Sequence, residues 1–170
     1  MSPPRTRAPA RQLDEFEESV YEYSNRISWD DSEEHWDIDR SSNIRFESAT
    51  RGPPARVSFQ FTVAPKLCNL IGNLHGGCAA TLIDVLSTCI LLGVSSPGHF
   101  GLGGVSRHLK VTYLRPVPQG TEARLTCELV HVGKRLAFMK AEISRVDTGA
   151  LCIIGEHEKA NTDPEAGAKV

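Results

Sequence analysis

Between Leu67 and Ser106 the sequence carries a single Asp, Glu, Lys or Arg, the carboxylate of Asp84. Burying an isolated charge costs several kcal/mol or drives its pKa upward, so a carboxylate in this stretch must be exposed on one face, paired, or functional. Just upstream, His75-Gly76-Gly77 opens the apolar run Cys78 to Leu92. Two glycines at a helix start leave the outward-pointing backbone N–H groups uncovered at the positive end of the helix dipole. If a thioester or ester oxygen settles there, each donor stabilises the charge that develops on attack by about 3 kcal/mol. Tight packing at a helix entry explains the same glycine pair equally simply. His75 has two readings, a ring that holds the turn or a proton-transfer group, and Asn69 has two, a loop brace or a holder of the attacking water or the histidine.

Eight residues separate Gly76 from Asp84, about 12 Å along one helix at 1.5 Å per residue. That is too far for both to serve one small reacting group. Two copies with antiparallel helices across a two-fold axis remove the conflict, placing Asp84 of each against Gly76 and Gly77 of the other in two equivalent composite sites.

Other chemistries lack their residues. The dispersed His99, His108, His131 and His157 give no short-spaced ligand pair for a metal, and neither a GxSxG elbow nor a Walker loop is present. A net charge of −2 and a pI near 6.3 argue against a nucleic-acid partner. The five cysteines, Cys68, Cys78, Cys89, Cys127 and Cys152, form no CxxC pair, and four lie in apolar-patterned segments, as reduced thiols of a cytoplasmic protein would. The run to Leu92 falls short of the roughly 20 residues of a membrane span, and no apolar leader follows Met1. Arg5, Arg7 and Arg11, with no acid before Asp14, leave a mitochondrial leader as the alternative to a plain tail.

Along the chain, residues 1–12 are a proline-rich tail, expected to be disordered, and Leu13, Phe16, Val20, Tyr23 and Ile27 recur at helical spacing. The acidic stretch 30–40 is expected to be a solvated face anchored by Trp29, Trp36 and Ile38. A short strand at Ile44 and Phe46 precedes the break at Gly52-Pro53-Pro54, and Val57–Val63 alternates as a half-buried strand. The helix is expected to end near Gly93, before the glycine-rich loop to 104. Four strands follow, over 105–114, 121–132, 136–146 and 151–159, the last three joined by hairpin-length turns. The prediction is an α+β domain over 53–161 in which a long helix is covered by a curved antiparallel meander, with an extension over 13–52 and a tail over 162–170.

Asn69-x-x-Gly72-x-x-His75-Gly76-Gly77 with Asp84, then Gly104-Val105-Ser106 and Val111-Thr112-Tyr113-Leu114-x-Pro116, closely resemble the hotdog-fold acyl-CoA thioesterases of the phenylacetate-type and thioesterase-superfamily-member-2 group. The resemblance spans about Val57 to Asn161. It implies a hotdog fold, subunits that pair through their sheets into a homodimer or tetramer, and sites between subunits. It further implies Asp84 as general base or nucleophile, a Gly76 N–H polarising the thioester, Asn69 and His75 positioning water or substrate, and Ser106 assisting. Substrate contacts are implied at Gly77, His108, Tyr113 and Arg115, and at the hairpin residues Gly133, Lys134 and Arg135. Lys134 and Arg135 would meet phosphate, or else form an ordinary charged hairpin tip. Arg107-His108 depart from the animal relatives, which have an apolar residue and an acid there. The expected activity is a soluble hydrolase of lipid metabolism acting on acyl-CoA, with no metal and no cofactor beyond the coenzyme A of its substrate. The alternatives are a hotdog dehydratase, a polyketide-pathway hydrolase acting on an acyl-carrier thioester, and a non-catalytic acyl-binding protein. The acyl pocket is expected between Leu82, Leu86, the 94–104 loop and the partner subunit.

Overall fold

The computed structural model describes residues 9–26 and 43–164. Trp29, Trp36, Ile38 and the acidic stretch 30–40 lie outside them, as do Ile27 and most of both tails. The elements in order are α1 (Glu15–Arg26), β1 (Arg45–Thr50), β2 (Ala55–Thr62), α2 (Gly76–Gly93), β3 (Val105–Tyr113), β4 (Glu122–Val132), β5 (Leu136–Arg145) and β6 (Leu151–Ala160).

Period-two patterning builds the sheet. Val57, Phe59 and Phe61 of β2 and Ala123, Leu125 and Cys127 of β4 turn to one face and are buried. Across that face lies α2, whose Ala79, Leu82, Ile83, Leu86 and Ile90 are buried. Each such large apolar side chain contributes roughly 1.5–3 kcal/mol relative to exposure. By length and composition alone α2 is also apolar enough to cross a membrane, with a mean hydropathy of 1.7. Its 18 residues exceed the shorter run read from sequence, so length does not separate the two cases. The sheet packed along its inner face is what identifies a core helix.

The strand order is β1-β2-β4-β5-β6-β3, all neighbours antiparallel. This corrects the expected four-strand meander: only β4, β5 and β6 follow one another, while β3 pairs with β6 at the far edge. The chain after β3 is carried across. Leu114 and Arg115 N–H groups donate to the Cys152 carbonyl, Leu74 N–H donates to Val117, and Gly120 N–H reaches Val63 at the end of β2. That path delivers β4 to β2 and leaves β3 with one free edge.

Helix α1 begins with a reciprocal cap, Glu17 N–H donating to Asp14 Oδ1 (2.8 Å) and Asp14 N–H to Glu17 Oε2 (3.2 Å). Glu17 is buried, accepts from the Ala49 N–H of β1 (3.2 Å) and pairs with Arg11 (2.5 Å), which brings its pKa down to about 2. Through this carboxylate α1 is tied to the sheet edge.

Candidate active site

At its start, α2 turns its polar groups inward on itself. His75 is the N-cap, and its Nδ1 accepts from the Gly77 N–H at 3.0 Å. A Cβ on Gly77 would come within 3.2 Å of that nitrogen, and one on Gly76 within 3.1 Å of the Tyr113 ring, whose hydroxyl donates to the Gly76 carbonyl at 2.7 Å. Both glycines therefore have packing reasons to be there. Asn69 Oδ1 accepts from the Ile71 and Asn73 N–H groups at 3.1 Å each, bracing the loop. No group among the described residues accepts from the Gly76 N–H.

Two turns further on, Asp84 meets residues from the opposite edge of the sheet. Ser106 Oγ donates to Asp84 Oδ1 at 2.7 Å, and His157 Nε2 lies 3.1 Å from the same oxygen and 2.9 Å from Ser106 Oγ. Because the Ser106 proton goes to Asp84, the proton between His157 Nε2 and these two acceptors belongs to the imidazole. The other ring nitrogen, Nδ1, lies 2.7 Å from Ser87 Oγ. His157 is fully buried. A break in the pairing register between Ser106 and His108 is the local device that re-aims β3 at this point.

The hydrogen bond from His157, assisted by Ser106 and by the charge of Lys159, holds the Asp84 carboxyl below the ordinary carboxylate range against the opposing effect of burial. Lys159, itself 6% exposed, donates from Nζ to Thr88 Oγ1 at 2.9 Å, and Thr88 donates onward to the Asp84 carbonyl at 2.9 Å. Burial pushes the Lys159 pKa down, with Asp84 opposing. All donors to the Asp84 carboxylate reach Oδ1; among the described residues none reaches Oδ2.

Asp84 and Ser106 line a cleft of about 500 Å³, continued by Val85, Thr88 and Leu92 of α2 and by Leu102. Leu82 and Leu86 do not line it, contrary to expectation. They are 0% and 2% exposed and point to the sheet, so the cleft uses the next positions around the helix.

The expected substrate-contact residues fall into two groups. Tyr113 lies beside Gly76, and Arg115, two residues on, donates from Nη1 to the Leu151 carbonyl at 2.7 Å. The hairpin Gly133-Lys134-Arg135 lies at the other end of β3: Arg135 accepts from Asn161 N–H, Gly133 faces His99 Nε2 at 3.1 Å, and Leu136, Ala160 and Val105 share one row. Eight residues of strand, about 26 Å, separate the groups within one subunit. His108 is exposed on β3 opposite Glu158, which Arg107 pairs at 3.1 Å.

Lys159 escaped the sequence reading, and His157 was weighed there only as a metal ligand. The available signal was phase: Ile153 and Gly155 set the inward side of β6, and two residues at a time later the same phase carries imidazole and ammonium, while Glu156 and Glu158 alternate outward. Among the described residues no group of three or more His, Cys, Asp or Glu is placed to hold a metal.

A long helix gripped by a curved antiparallel sheet, with a paired carboxylate facing a cleft from mid-helix, defines a hotdog-fold protein. The chain belongs to the thioesterase superfamily, whose family model matches residues 71–152. Human acyl-coenzyme A thioesterase 13 is 36% identical over 106 residues, covering 62% of this chain and 73% of that protein. The crystal structure of mouse thioesterase superfamily member 2 superposes with a TM-score of 0.61 at 32% identity, covering 69% of this chain and 80% of that one. The zebrafish thioesterase superfamily member 2 structure gives 0.69 at 26% identity, covering 89% and 99%.

Proposed function

We propose that this protein hydrolyses acyl-CoA to a free acid and coenzyme A, with Asp84 as the group that acts on the thioester. The observation that carries the assignment is the asymmetry of the Asp84 carboxylate. Ser106 and His157 occupy Oδ1, keep the group ionised and fix its plane, while Oδ2 is left for the reaction beside an apolar cleft. The 36% identity to a protein named for acyl-coenzyme A hydrolysis supports the substrate class.

In the general-base route Oδ2 takes a proton from water as the water oxygen bonds to the carbonyl carbon. The tetrahedral intermediate then expels the thiolate, and protonation gives free coenzyme A and the carboxylic acid. In the nucleophilic route Oδ2 itself attacks, the C–S bond breaks, and water cleaves the resulting mixed anhydride. Either way the developing oxyanion needs a donor, and the unsatisfied Gly76 N–H at the helix start supplies one. His75 and Asn69 act by holding that N–H in place.

The Gly76 N–H belongs to a partner subunit. Antiparallel pairing of two free β3 edges about a two-fold axis sets the Ser106 end of one strand beside the Tyr113 end of the other, and hence Asp84 beside Gly76 of the partner subunit. The same operation brings the hairpin of one subunit toward Tyr113 and Arg115 of the partner subunit, joining the two halves of a coenzyme A surface in which Lys134 and Arg135 face phosphate. In this reading residues 53–161 form the catalytic core, 13–26 and 43–52 pack onto it, and the five free thiols suit a reducing compartment such as the cytosol.

The test is free-thiol release from short, medium, long and aromatic acyl-CoAs by the wild type and Asp84→Asn. Release that collapses in the variant while its oligomer persists supports the reading. Activity that survives the substitution moves the chemistry away from Asp84.

A further inference from the structure

We infer that Tyr23 of α1 limits the acyl-chain length this enzyme accepts, by closing the far end of the Asp84 cleft. The inference rests on the acyl-CoA reading above and adds to it the residue that sets specificity.

The cleft follows one stripe of α2, Asp84, Thr88 and Leu92, at successive intervals of four residues and so about 12 Å long. Its chemistry is graded. Asp84, Ser106 and Lys159 make one end polar; Leu92, Leu102 and Tyr23 make the other apolar. A thioester at Asp84 therefore lays its hydrocarbon toward Leu92 and meets Tyr23 at the end of the run.

A second cleft, of about 420 Å³, begins on the far side of that wall, between the 95–98 loop and Asp163-Pro164. The residues shared by both clefts are Tyr23, Gly101 and Leu102. Gly101 adds no side chain, and Leu102 is 75% exposed. The loop backbone cannot easily yield either, because Asp163 accepts from the N–H groups of Gly101 and Leu102, at 2.5 and 3.0 Å. Of the three shared residues Tyr23 has the largest side chain, with Leu102 beside it.

The ring is held in register by the rest of α1. Phe16, Val20 and Tyr23 fall on one helical stripe. Where that stripe crosses α2 stands Gly93, at which a Cβ would come within 2.5 Å of Val20 Cγ2. The buried Glu17 pins the same helix to β1. Tyr23 also lies outside the residues 71–152 that the family model matches. The chain-length limit is therefore placed on an element that can vary without touching the reacting groups.

The experiment uses the full chain as wild type, Tyr23→Ala, Tyr23→Trp and Tyr23→Phe. Two quantities are measured across short, medium and long saturated chains: kcat/KM for acyl-CoA, and Kd for the matching non-hydrolysable S-alkyl-CoA thioethers by calorimetry. Tyr23→Ala is expected to raise the long-over-short ratio in both by about 10-fold or more, since a hydrophobic pocket discriminates a methylene by roughly 10- to 200-fold. Tyr23→Trp should shift both ratios toward short chains, and Tyr23→Phe should match wild type. Unchanged ratios in folded Tyr23→Ala and Tyr23→Trp proteins overturn the inference. If the wild type releases no thiol from any substrate, the hydrolase reading fails, and the thioether affinities decide alone: a shifted ratio upholds Tyr23 as the wall, while an unshifted one, or no binding, removes it.

Discussion

The two polar regions of α2 are built on opposite principles. At its start, His75, Asn69, Gly76 and Gly77 are bonded to or packed against residues a few positions away, apart from the Tyr113 contact, and the product is an ordered helix entry with one N–H left over. In its middle, Asp84 is held by Ser106 and His157, which stand 22 and 73 positions downstream on strands that fold back over the helix. A motif compact in sequence here makes a scaffold; the paired carboxylate is compact only in space. The difference teaches that a conspicuous string such as HGG is explained by local bonding, whereas the proposed reacting group is recognised by what the tertiary fold does to its charge.

The sharpest way to break this contrast is Asp84→Asn. Loss of a general base costs about 10²- to 10⁴-fold in kcat/KM, with melting temperature and oligomer unchanged or nearly so. A comparable loss from His75→Ala with the fold intact would erase the distinction between the two regions.

Mixing subunits sharpens it next. Asp84→Asn and Gly76→Val, the latter placing a branched side chain against the Tyr113 ring, should each be inactive alone. Refolded together in equal amounts they should regain about a quarter of wild-type activity, because half the dimers are hybrids and each hybrid carries one intact composite site. Absence of recovery, with hybrids present by mass, would mean that Asp84 and Gly76 do not share a site across subunits.

His157→Gln probes the middle region at smaller amplitude. Disturbing the buried bonds to Ser87 and Asp84 should lower stability by about 1–3 kcal/mol. The hydrogen bond from His157 is the largest influence holding the Asp84 pKa down, so its loss raises that pKa. On the proposed mechanism the rate needs ionised Asp84, and its acid limb is therefore expected to move to higher pH in the variant. The stability sign is the same: a depressed carboxyl stabilises the fold above its unfolded pKa and loses that contribution as pH falls through the folded value, so the variant has less to lose on acidification. A pH–rate profile with an unmoved acid limb would detach His157 from Asp84.

Much of this architecture was legible in the chain. Helix α1 and strand β2 followed from period, β3 to β6 from β-branched or alternating apolar residues between turn signals, β1 from Ile44 and Phe46, and α2 from the long apolar run after His75-Gly76-Gly77, while Asp84 stood out because a lone charge in an apolar run has few ways to be tolerated. What could not be read was the position of β3. Neighbouring strands usually pair, and only the hydrogen bonds of 114–120 to Cys152, Leu74 and Val63 carry β3 away from β4 to the edge beside β6. Since β6 brings His157 and Lys159 to α2, losing that pairing also hid half of the Asp84 surroundings. Leu82 and Leu86 were misplaced for a related reason, as an almost uniformly apolar helix does not announce which side faces the sheet.

The smallest expected effect belongs to the most conspicuous residue. His75→Ala removes the N-cap acceptor of the Gly77 N–H, and losing a cap costs typically about 1 kcal/mol. The Gly76 N–H does not depend directly on the imidazole, since its position also follows from the Tyr113 bond to the Gly76 carbonyl and from the Asn69 brace. Activity should accordingly stay within a few-fold of wild type, and Tyr113→Phe combined with His75→Ala should cost more than the sum of the two, because each then loses the contact that compensates for the other. Thermal denaturation with thiol-release kinetics on the two single variants and the double variant gives the coupling directly. A strictly additive result would mean that cap and tyrosine hold the helix entry independently, and a kinetic loss in His75→Ala alone without a matching loss of stability would return the imidazole to the chemistry.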